Sequence, residues 1–545
     1  MSLNNTPLLN ITSMKNLVLL LLFCALAHNV IAQWPITYGH NTFDAVGRAI
    51  KNHYDNGILL GGAERLTLDG TLQAYLRKVD INGVEVWKRY FPQVNKTSNT
   101  LGLSNCLDGG IVVSGILQTT SLESDGFVLK LNACGEKIWC KQFTRHGGFT
   151  FITENIQLPN NEIFILSSHC EKNYDRIWLY RLDSAGNLLW QKCMEPDTNY
   201  FDETGYNLLL TNDSCVLVTG FNFFIREPGS GLGWFSPLWV KFDLEGNQLW
   251  DLTWYGNGFI HGDFGRTIQD SKGNYYSGGS DGFQEVDMKA CVYKFSPTGV
   301  PEKLMHVYPL RDGSLTKALT FFQDSTLFAG GAYAIGNTGY SMVIKTDTTG
   351  NVLKTKDVPL YGFPVAYSAL TTDNKVVALG ERYIESLNHW ETCLFKFNQN
   401  LEYDSIYTVP RVYDSLCPHA VAPEETINLD CIIVDTEEPL KKPENSQLKV
   451  YPLPANTQVT IALPGYYTLE EVRNHIKTTT TWYQLNGAKT IEIFNLQGQK
   501  TAIYELPDGQ QSLTFDVSEW APGMYLARLV CKGRVWSTGK IMVVQ

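Results

Sequence analysis

The stretch Tyr180-Arg181-Leu182-Asp183-Ser184-Ala185-Gly186-Asn187-Leu188-Leu189-Trp190 decides the fold, because its pattern occurs seven times along the chain. The other copies centre on the basic residue that corresponds to Arg181, namely Lys78, Lys130, Lys241, Lys294, Lys345 and Lys396. Successive basic residues are 52, 51, 60, 53, 51 and 51 positions apart. A period of about 50 residues is typical of a β-propeller or a solenoid.

Each copy contains an apolar run, an Asp or Asn, a turn that usually ends in Gly, and a second apolar run. Asp bonds its own downstream backbone and Gly accepts a positive φ, so this order predicts a β-hairpin. Another apolar run closed by Gly, such as Gly57 to Gly62, recurs upstream and predicts a buried strand. With one further strand ahead of it, each period gives four strands, which is one propeller blade.

The ends of the repeat region favour a closed propeller over a solenoid, which would need distinct capping repeats. Trp34 to Gly39 resembles Trp250 to Gly256, the outer-strand part of a complete copy, and the final copy lacks this Trp. We therefore expect the N-terminal segment to complete the last blade. The sequence predicts an all-β chain, with a seven-bladed β-propeller over residues 33–410.

The Asp-x-x-Gly-x-x-x-Trp pattern is similar to the repeats of quinoprotein-like propellers and, more loosely, to the Asp boxes of sialidases. This resemblance implies architecture only. A quinoprotein-like dehydrogenase would show cofactor absorbance, whereas we predict neither a cofactor nor a metal site.

The seven basic residues of the repeat have two interpretations. Converging positive charges could bind an anion in the central channel. However, each usually has Asp or Asn two residues later, which we expect to neutralise it, and repetition in every blade favours a packing role with the aliphatic stem on apolar surface. We therefore predict a structural role.

The N-terminus predicts a secretory signal peptide over residues 1–32, in which 1–13 could be an upstream start extension. Lys15 precedes the apolar run Leu17 to Leu26, and Val30-Ile31-Ala32 suits cleavage before Gln33. A lipoprotein anchor at Cys24 is disfavoured by Phe23. No later segment holds 18 consecutive apolar residues, so we expect no transmembrane helix in the mature chain.

Charge and cysteine content narrow the function further. The net charge of -11 and the lack of a long basic run argue against a nucleic-acid partner. Eleven of the 12 cysteines follow the signal, so at least one is unpaired within the chain. Cys417 and Cys431 are the best predicted disulfide, in a solvated linker over 411–447; Cys134 with Cys140 and Cys170 with Cys193 are weaker alternatives.

The pattern changes at residue 448. Short alternating strands separated by Gly, Pro and Asp turns predict a small immunoglobulin-like β-sandwich over 448–545. Its motifs, Val450 to Asn456, Ile491 to Gln499, Pro522 to Tyr525 and Gly539 to Val544, resemble in that order the C-terminal sorting domain of type IX secretion cargo. Leu453 replaces the usual Asn of the opening motif, and Tyr466 to Asn486 looks like an insertion.

This resemblance implies a partner and a location. The type IX secretion machinery would carry the chain through the periplasm and across the outer membrane, to be secreted or held at the cell surface. The sorting motif residues are Tyr451, Pro452, Pro454, Ala455, Gly498, Gly523, Tyr525 and Lys540.

The 60-residue interval marks where binding is expected, because loops that depart from a scaffold's period often carry function. The candidate ligand-binding residues there and just after it are Phe223, Arg226, Trp234, Phe235, Tyr255, His261 and Asp263. Alternatively, these aromatic side chains pack against the blade rim.

No catalytic residue is predicted. Gly278-Gly279-Ser280-Asp281-Gly282 matches the Gly-x-Ser-x-Gly of a hydrolase nucleophile elbow, but its sister copies lack Ser and it ends a recurrent strand. We expect an exported binding or adhesion module for an extracellular glycan or protein, without enzymatic activity. The alternative is a secreted hydrolase or lyase with its site in the channel mouth.

Overall fold

The computed structural model is all-β in the parts that it describes. These are residues 34–39, 44–67, 70–93, 96–120, 123–144, 149–171, 174–194, 202–225, 233–254, 265–282, 288–308, 313–323, 325–335, 338–361, 364–411, 416–417, 419–435, 448–462, 489–507, 510, 512–531 and 534–544. The predicted signal peptide and the predicted insertion at 466–486 lie outside them. Within these ranges, no helix has the length and apolar character needed to cross a bilayer.

The chain divides into two compact units, Met1–Thr436 and Glu437–Gln545. In the described part of the first unit, seven sheets each contain four antiparallel strands, and two of these sheets gain a fifth strand that pairs in parallel at their edge. Sheet 1 comprises β2 (Ala45–Asn52), β3 (Ile58–Arg65), β4 (Leu72–Val79) and β5 (Glu85–Phe91), and sheet 2 comprises β6 (Thr97–Asn105), β7 (Ile111–Thr120), β8 (Glu123–Leu131) and β9 (Lys137–Thr144). Sheet 3 comprises β10 (Thr150–Gln157), β11 (Ile163–Glu171), β12 (Tyr174–Leu182) and β13 (Leu188–Cys193), and sheet 4 comprises β14 (Asp202–Leu210), β15 (Val216–Ile225), β16 (Gly233–Phe242) and β17 (Gln248–Thr253). Sheet 5 comprises β18 (Thr267–Gln269), β19 (Tyr275–Asp281), β20 (Lys289–Phe295) and β21 (Pro301–His306), and sheet 6 comprises β22 (Leu315–Phe321), β23 (Leu327–Ile335), β24 (Thr338–Thr346) and β25 (Val352–Tyr361). Sheet 7 comprises β26 (Tyr367–Leu370), β27 (Val376–Ile384), β28 (His389–Phe397) and β1 (Ile36–Tyr38).

The sheets form a closed ring. Each sheet packs on the next through its first strand, and β2 of sheet 1 packs against sheet 7. The first strand of each sheet is therefore the one nearest the axis, as in a β-propeller. β1 pairs antiparallel with β28, with Ile36 opposite Leu394, so the start of the unit supplies the outer strand of its last sheet. Both the propeller and this mode of closure are confirmed.

The repeated Asp and Gly build the turn between the third and fourth strands. The amides of Ala185 and Asn187 donate hydrogen bonds of 2.9 Å and 2.8 Å to Asp183 Oδ1. Gly186 takes a φ of 79°, a left-handed conformation that favours glycine. A Cβ at Gly186 would also approach the Trp139 ring of the preceding sheet to 2.9 Å. Turn shape and packing between sheets both require glycine here.

The repeated Trp connects neighbouring sheets through this contact. Trp190 lies against Gly246 of the next sheet, and Trp250 lies against Gly299 in the same way. At the closure of the ring, Trp34 takes this place against Gly83, where a Cβ would approach its ring to 2.9 Å. The N-terminal Trp therefore replaces the one that the final copy lacks.

Most of the repeated basic residues pair with an acid, but with a different one from the acid that we predicted. Lys130 Nζ lies 2.9 Å from Asp108 Oδ1, and Lys241 Nζ lies 2.6 Å from Asp213 Oδ2. These acids occupy the turn between the first and second strands of the same sheet. The Asp two residues after the cation, such as Asp243, instead accepts the turn amides of Glu245 and Asn247. Its carboxylate is committed to the backbone, which is why the predicted pairing is wrong.

The predicted solvated linker is in large part a strap, residues 416–417 and 419–435, on the outer edges of sheets 1 and 2. Its β29 (Glu424–Thr426) pairs parallel with β5, and its β30 (Ile432–Asp435) pairs parallel with β9. Ile427 and Leu429 are buried in the core between these sheets. This stretch of the predicted solvated linker is therefore attached to the propeller edge, and most of its side chains are exposed.

The disulfides follow from the strap. The structure pairs Cys134 with Cys417 and Cys140 with Cys431, so the predicted Cys417–Cys431 bond and its Cys134–Cys140 alternative are both wrong. Both strap cysteines meet sheet 2, where Cys134 lies in the turn after β8 and Cys140 lies in β9. Both disulfides therefore join the strap to sheet 2, and neither joins cysteines that are close in sequence.

The second unit is a β-sandwich in its described parts, as predicted. One sheet comprises β31 (Lys449–Tyr451), β32 (Gln458–Ala462) and β35 (Ser512–Asp516), and the other comprises β34 (Lys500–Leu506), β33 (Lys489–Phe494), β36 (Gly523–Cys531) and β37 (Arg534–Val543). Both sheets bury apolar side chains in one core, including Val459, Ile493 and Ile541.

The predicted sorting motifs occupy defined places in this sandwich. Ala455 is buried and bridges to Val543 of the last strand. Gly498 takes a φ of 77° in the turn after β33. Tyr525 donates a hydrogen bond of 2.9 Å to the Ala521 carbonyl. Tyr451 ends β31, and Pro452 and Pro454 lie in the bend that follows it. Gly523 begins β36, and Lys540 of β37 pairs with Leu526 of β36.

Candidate functional site on the propeller axis

The innermost strands share a bulge that turns an extra residue out of the ladder. The register shifts between Gly47 and Ala49 in β2, and shifts equivalently in β6, β10, β14 and β22. Bulges of this kind re-aim a side chain. The extra residues are Arg48, Leu101, Thr153, Tyr206 and Lys317. Since sister sheets hold Leu, Thr or Tyr at this point, the two cations are not required by blade construction.

An ion pair crosses the axis. Arg266, directly before β18, places Nη1 2.9 Å from Oε2 of Glu154 on β10. These residues belong to sheets 5 and 3, which are separated in the ring by sheet 4, so the pair meets across the channel. Glu154 is fully buried, and its Oε1 has no hydrogen-bond partner among the described residues.

Further charged groups surround this pair. The Arg266 guanidinium lies over the Tyr367 ring, 5.2 Å from its centroid, within the range of a cation–π interaction. Arg48 Nη1 lies 3.1 Å from Oε1 of Glu381 on β27. The group as a whole, called here the axial cluster, comprises Arg48, Lys51, Glu154, Arg266, Lys317, Tyr367 and Glu381.

Burial shifts the ionisation of three members. It lowers the pKa of Lys51, an effect that Glu154 opposes and Arg266 reinforces. It raises the pKa of the Glu381 carboxyl, against the opposing charges of Arg48 and Lys317. It also raises the pKa of Tyr367, so the phenol stays protonated at neutral pH.

The acids and the bases of the axial cluster differ in exposure. The side chains of Glu154 and Glu381 are 0% and 5% exposed, whereas those of Arg266 and Arg48 are 17% and 33% exposed. Lys51 and Lys317 are half-buried. The groups that solvent can reach are therefore mainly the basic ones, and the carboxylates are less exposed.

The predicted ligand-binding residues are only partly described. Phe223 and Phe235 face each other across β15 and β16, with ring centroids 4.9 Å apart. Trp234 lies in β16, next to Phe235. Arg226, Tyr255, His261 and Asp263 lie outside the described residues.

Neither the Gly-x-Ser-x-Gly match nor the group of Cys134, Cys417 and His419 forms a catalytic or metal-binding site. Ser280 of the Gly-x-Ser-x-Gly match is buried within β19, which continues to Asp281, so it is not on a strand-to-helix turn. Cys134, Cys417 and His419 hold donor atoms within 4.8 Å of one another, but the two sulfurs are joined as a disulfide and are not available as thiolate ligands.

Sequence reasoning missed the axial cluster. Its members are dispersed over five sheets and share no local motif. A signal did exist: aligning the innermost strands of the seven copies shows Arg48 and Lys317 at the bulge where sister copies carry uncharged residues. The ion pair between Glu154 and Arg266, which are far apart in sequence, could not be found in this way.

Comparison with known proteins assigns the second unit. Residues 449–544 match the family model of the secretion system C-terminal sorting domain. No curated protein matches the chain.

Several solved structures are similar to this chain at low identity. A polysaccharide lyase of the PL25 ulvan lyase family is 11% identical, with 66% of this chain and 95% of the lyase covered and a TM-score of 0.45. Drosophila Semaphorin 2a is 10% identical, with 94% and 98% covered and a TM-score of 0.41. A Bacteroides caccae protein of unknown function is 10% identical, with 55% and 93% covered and a TM-score of 0.33.

The match to the sorting-domain model covers β31 to β37, and with them every sorting motif that the sequence predicted. The chain is thus a cargo protein of the type IX secretion system, with an N-terminal β-propeller and a C-terminal sorting domain.

Proposed function

We propose that this protein is an extracellular recognition module, which binds a glycan or protein through the axial cluster of its propeller and has no enzymatic activity. The sorting domain supports the extracellular location, since it directs the chain to secretion or to the cell surface. The observation that carries the binding proposal is the convergence of ionisable side chains from five sheets on one axis.

The axial cluster is better suited to binding than to catalysis. A general acid and a general base must both reach the reacting atoms of a substrate. Here Glu154 and Glu381 are buried and each is paired with a guanidinium. Charged groups held in place by such pairs are preorganised hydrogen-bonding partners for a ligand.

A hydrolase or lyase is the second candidate, and one observation favours it. The raised pKa of Glu381 is the property of a carboxyl that acts as a general acid. Under this alternative, Glu381 would donate a proton to a leaving group and Glu154 would act as the base. Glu381→Gln would then abolish turnover while leaving ligand binding intact.

Glycan and cell-surface protein arrays, probed with the secreted full chain, test the proposal directly. We expect binding at micromolar concentration that is lost in an Arg266→Gln/Glu154→Gln variant, in which a neutral hydrogen-bonding pair replaces the ion pair. Lys354→Gln on the outer strand β25 is the matched control, because it removes one exposed charge far from the axis. Binding unchanged by the axial variant, or no binding at all, would refute the proposal.

Delivery is tested separately by removing residues 448–545. We expect the truncated chain to accumulate in the periplasm, measured by cell fractionation and immunoblotting. Normal appearance of the truncated chain outside the cell would contradict the role of the sorting domain.

A further inference from the structure

We propose that the ligand of the axial cluster is an acidic glycan, whose sulfate or carboxylate group binds to Arg48, Lys51 and Arg266. This inference rests on the proposed function and specifies the chemical class of the ligand.

The first argument is the polarity of the accessible groups. The axial cluster contains four basic residues and two carboxylates, and each carboxylate is more deeply buried than the guanidinium group that pairs with it. Within the described ranges, the ammonium of Lys51 has no ion-pair partner within 4.0 Å. A chain with a net charge of -11 thus concentrates accessible positive charge on its axis. Charge of one sign in a confined site attracts the opposite charge.

The second argument is the geometry of the guanidinium groups. Arg presents several donors in a fixed planar arrangement that suits carboxylate and sulfate-like oxyanions. Glu154 occupies one side of Arg266, and Tyr367 lies against its face. Glu381 engages Arg48 through Nη1. Each of these ion pairs involves only Nη1 of its guanidinium group, which leaves other donors for an incoming oxyanion.

The third argument is a comparison between sheets of the same propeller. Thr153 occupies in β10 the bulge position that Arg48 occupies in β2, and Ser104 in β6 corresponds to Lys51. Because the same backbone forms around uncharged residues, folding does not explain these cations. Placing them near one another has a desolvation cost that a bound anion would offset.

The enclosed position of the axial cluster favours a glycan over a folded protein. The innermost strands surround the axis, so a ligand must enter as a slender group. A sulfate or carboxylate that projects from a sugar ring meets this requirement.

Isothermal titration of the full, disulfide-intact chain tests the inference. The probes are dextran sulfate, polygalacturonate, neutral dextran and polyglutamate, each titrated at two salt concentrations. We expect dextran sulfate, polygalacturonate or both to bind, and to bind more weakly at high salt, because salt screens partly exposed charges. The two acidic polysaccharides separate a sulfate from a carboxylate ligand. Neutral dextran should not bind.

The variants copy residues that sister sheets already tolerate. Arg48→Thr and Lys51→Ser should each weaken binding of the acidic glycan about tenfold or more, which corresponds to the loss of about 1.4 kcal/mol. Lys354→Thr on β25 is the control and should bind like the parent chain. Unchanged near-ultraviolet circular dichroism shows that the variants keep their fold.

The outcomes separate this inference from the proposed function. Binding of a neutral glycan or a protein at the axial cluster, without binding of either acidic polysaccharide, would overturn the inference and leave the proposed function standing. If acidic glycans bind and neither Arg48→Thr nor Lys51→Ser weakens that binding, the axial cluster is not the binding site. Equal binding of polyglutamate would overturn the glycan class. An absence of ligands on every array and in every titration would overturn both.

Discussion

Removing the two disulfides one at a time and then together should give strongly non-additive losses of stability. Cys134–Cys417 spans 283 positions and Cys140–Cys431 spans 291. A cross-link stabilises a protein by restricting its unfolded chain, and for a loop of this length the restriction is worth about 6 kcal/mol. Either bond alone provides nearly all of that long-range restriction.

The second bond adds less because it is nested within the first. Positions 134 and 140 are six apart, and positions 417 and 431 are fourteen apart, so once one bond is closed the other closes a ring of about 20 residues. Such a ring is worth about 3 kcal/mol. Loss of one disulfide should therefore cost about 3 kcal/mol, and loss of both about 9 kcal/mol.

Urea unfolding followed by Trp fluorescence measures these losses in the full chain. The variants are Cys134→Ala/Cys417→Ala, Cys140→Ala/Cys431→Ala and all four together, with the buried unpaired Cys291→Ala as the control for loss of a sulfur atom. Dithiothreitol added to the parent chain should reproduce the fourfold variant. If the two single losses add up to the double loss, the nested-loop reasoning is refuted.

Three further predictions concern single side chains and use the same unfolding assay. Tyr38→Phe should cost about 1 kcal/mol, because the buried hydrogen bond of 2.7 Å from Tyr38 to the Gly83 carbonyl is lost at the ring closure; no loss would mean that this bond does not stabilise the closure. Lys396→Met should lower the free energy of unfolding by about 3 kcal/mol, because it removes a fully buried cation from its acids. Lys294→Met removes a cation from a more exposed pair and should lower it by under about 1 kcal/mol. Equal losses in the two variants would contradict this difference. Burial opposes ionisation of Asp373, but the hydrogen bond from Lys396 prevails and lowers the pKa of Asp373 from 3.8 to about 2. The stability advantage of the parent chain over Asp373→Asn should therefore be constant above about pH 4 and disappear as the pH falls towards 2. An advantage that persists at pH 2 would refute this prediction.

Much of the blade could be predicted from the sequence, because its determinants are local. The Asp-x-x-Gly turn forms within a few residues, and its hydrogen bonds at Asp183 and the positive φ of Gly186 follow from residue chemistry. Closure was also predictable, because Trp34 repeats a pattern that the last copy lacks. The sorting domain was recognised from the order of its motifs.

The errors concern partners that local sequence does not choose. Asp243 lies two residues from Lys241, yet the turn amides occupy its carboxylate and Asp213 takes the cation. Cys417 and Cys431 share one short segment, yet the segment is stretched along two sheets and each cysteine meets one from sheet 2. In both cases a residue from another part of the chain takes the place of the nearest candidate in sequence.

The sequence by itself determined the repeat, the propeller that the repeat builds, the residues that close it, and the sorting domain that exports it. Each of these depends on contacts within one period or on motif order. Only the tertiary structure decided which cysteines join, which acids hold the basic residues, and that Arg48, Lys51, Glu154 and Arg266 meet on the axis. These residues come from different sheets, and their approach depends on how the sheets close into a ring, which no local pattern encodes.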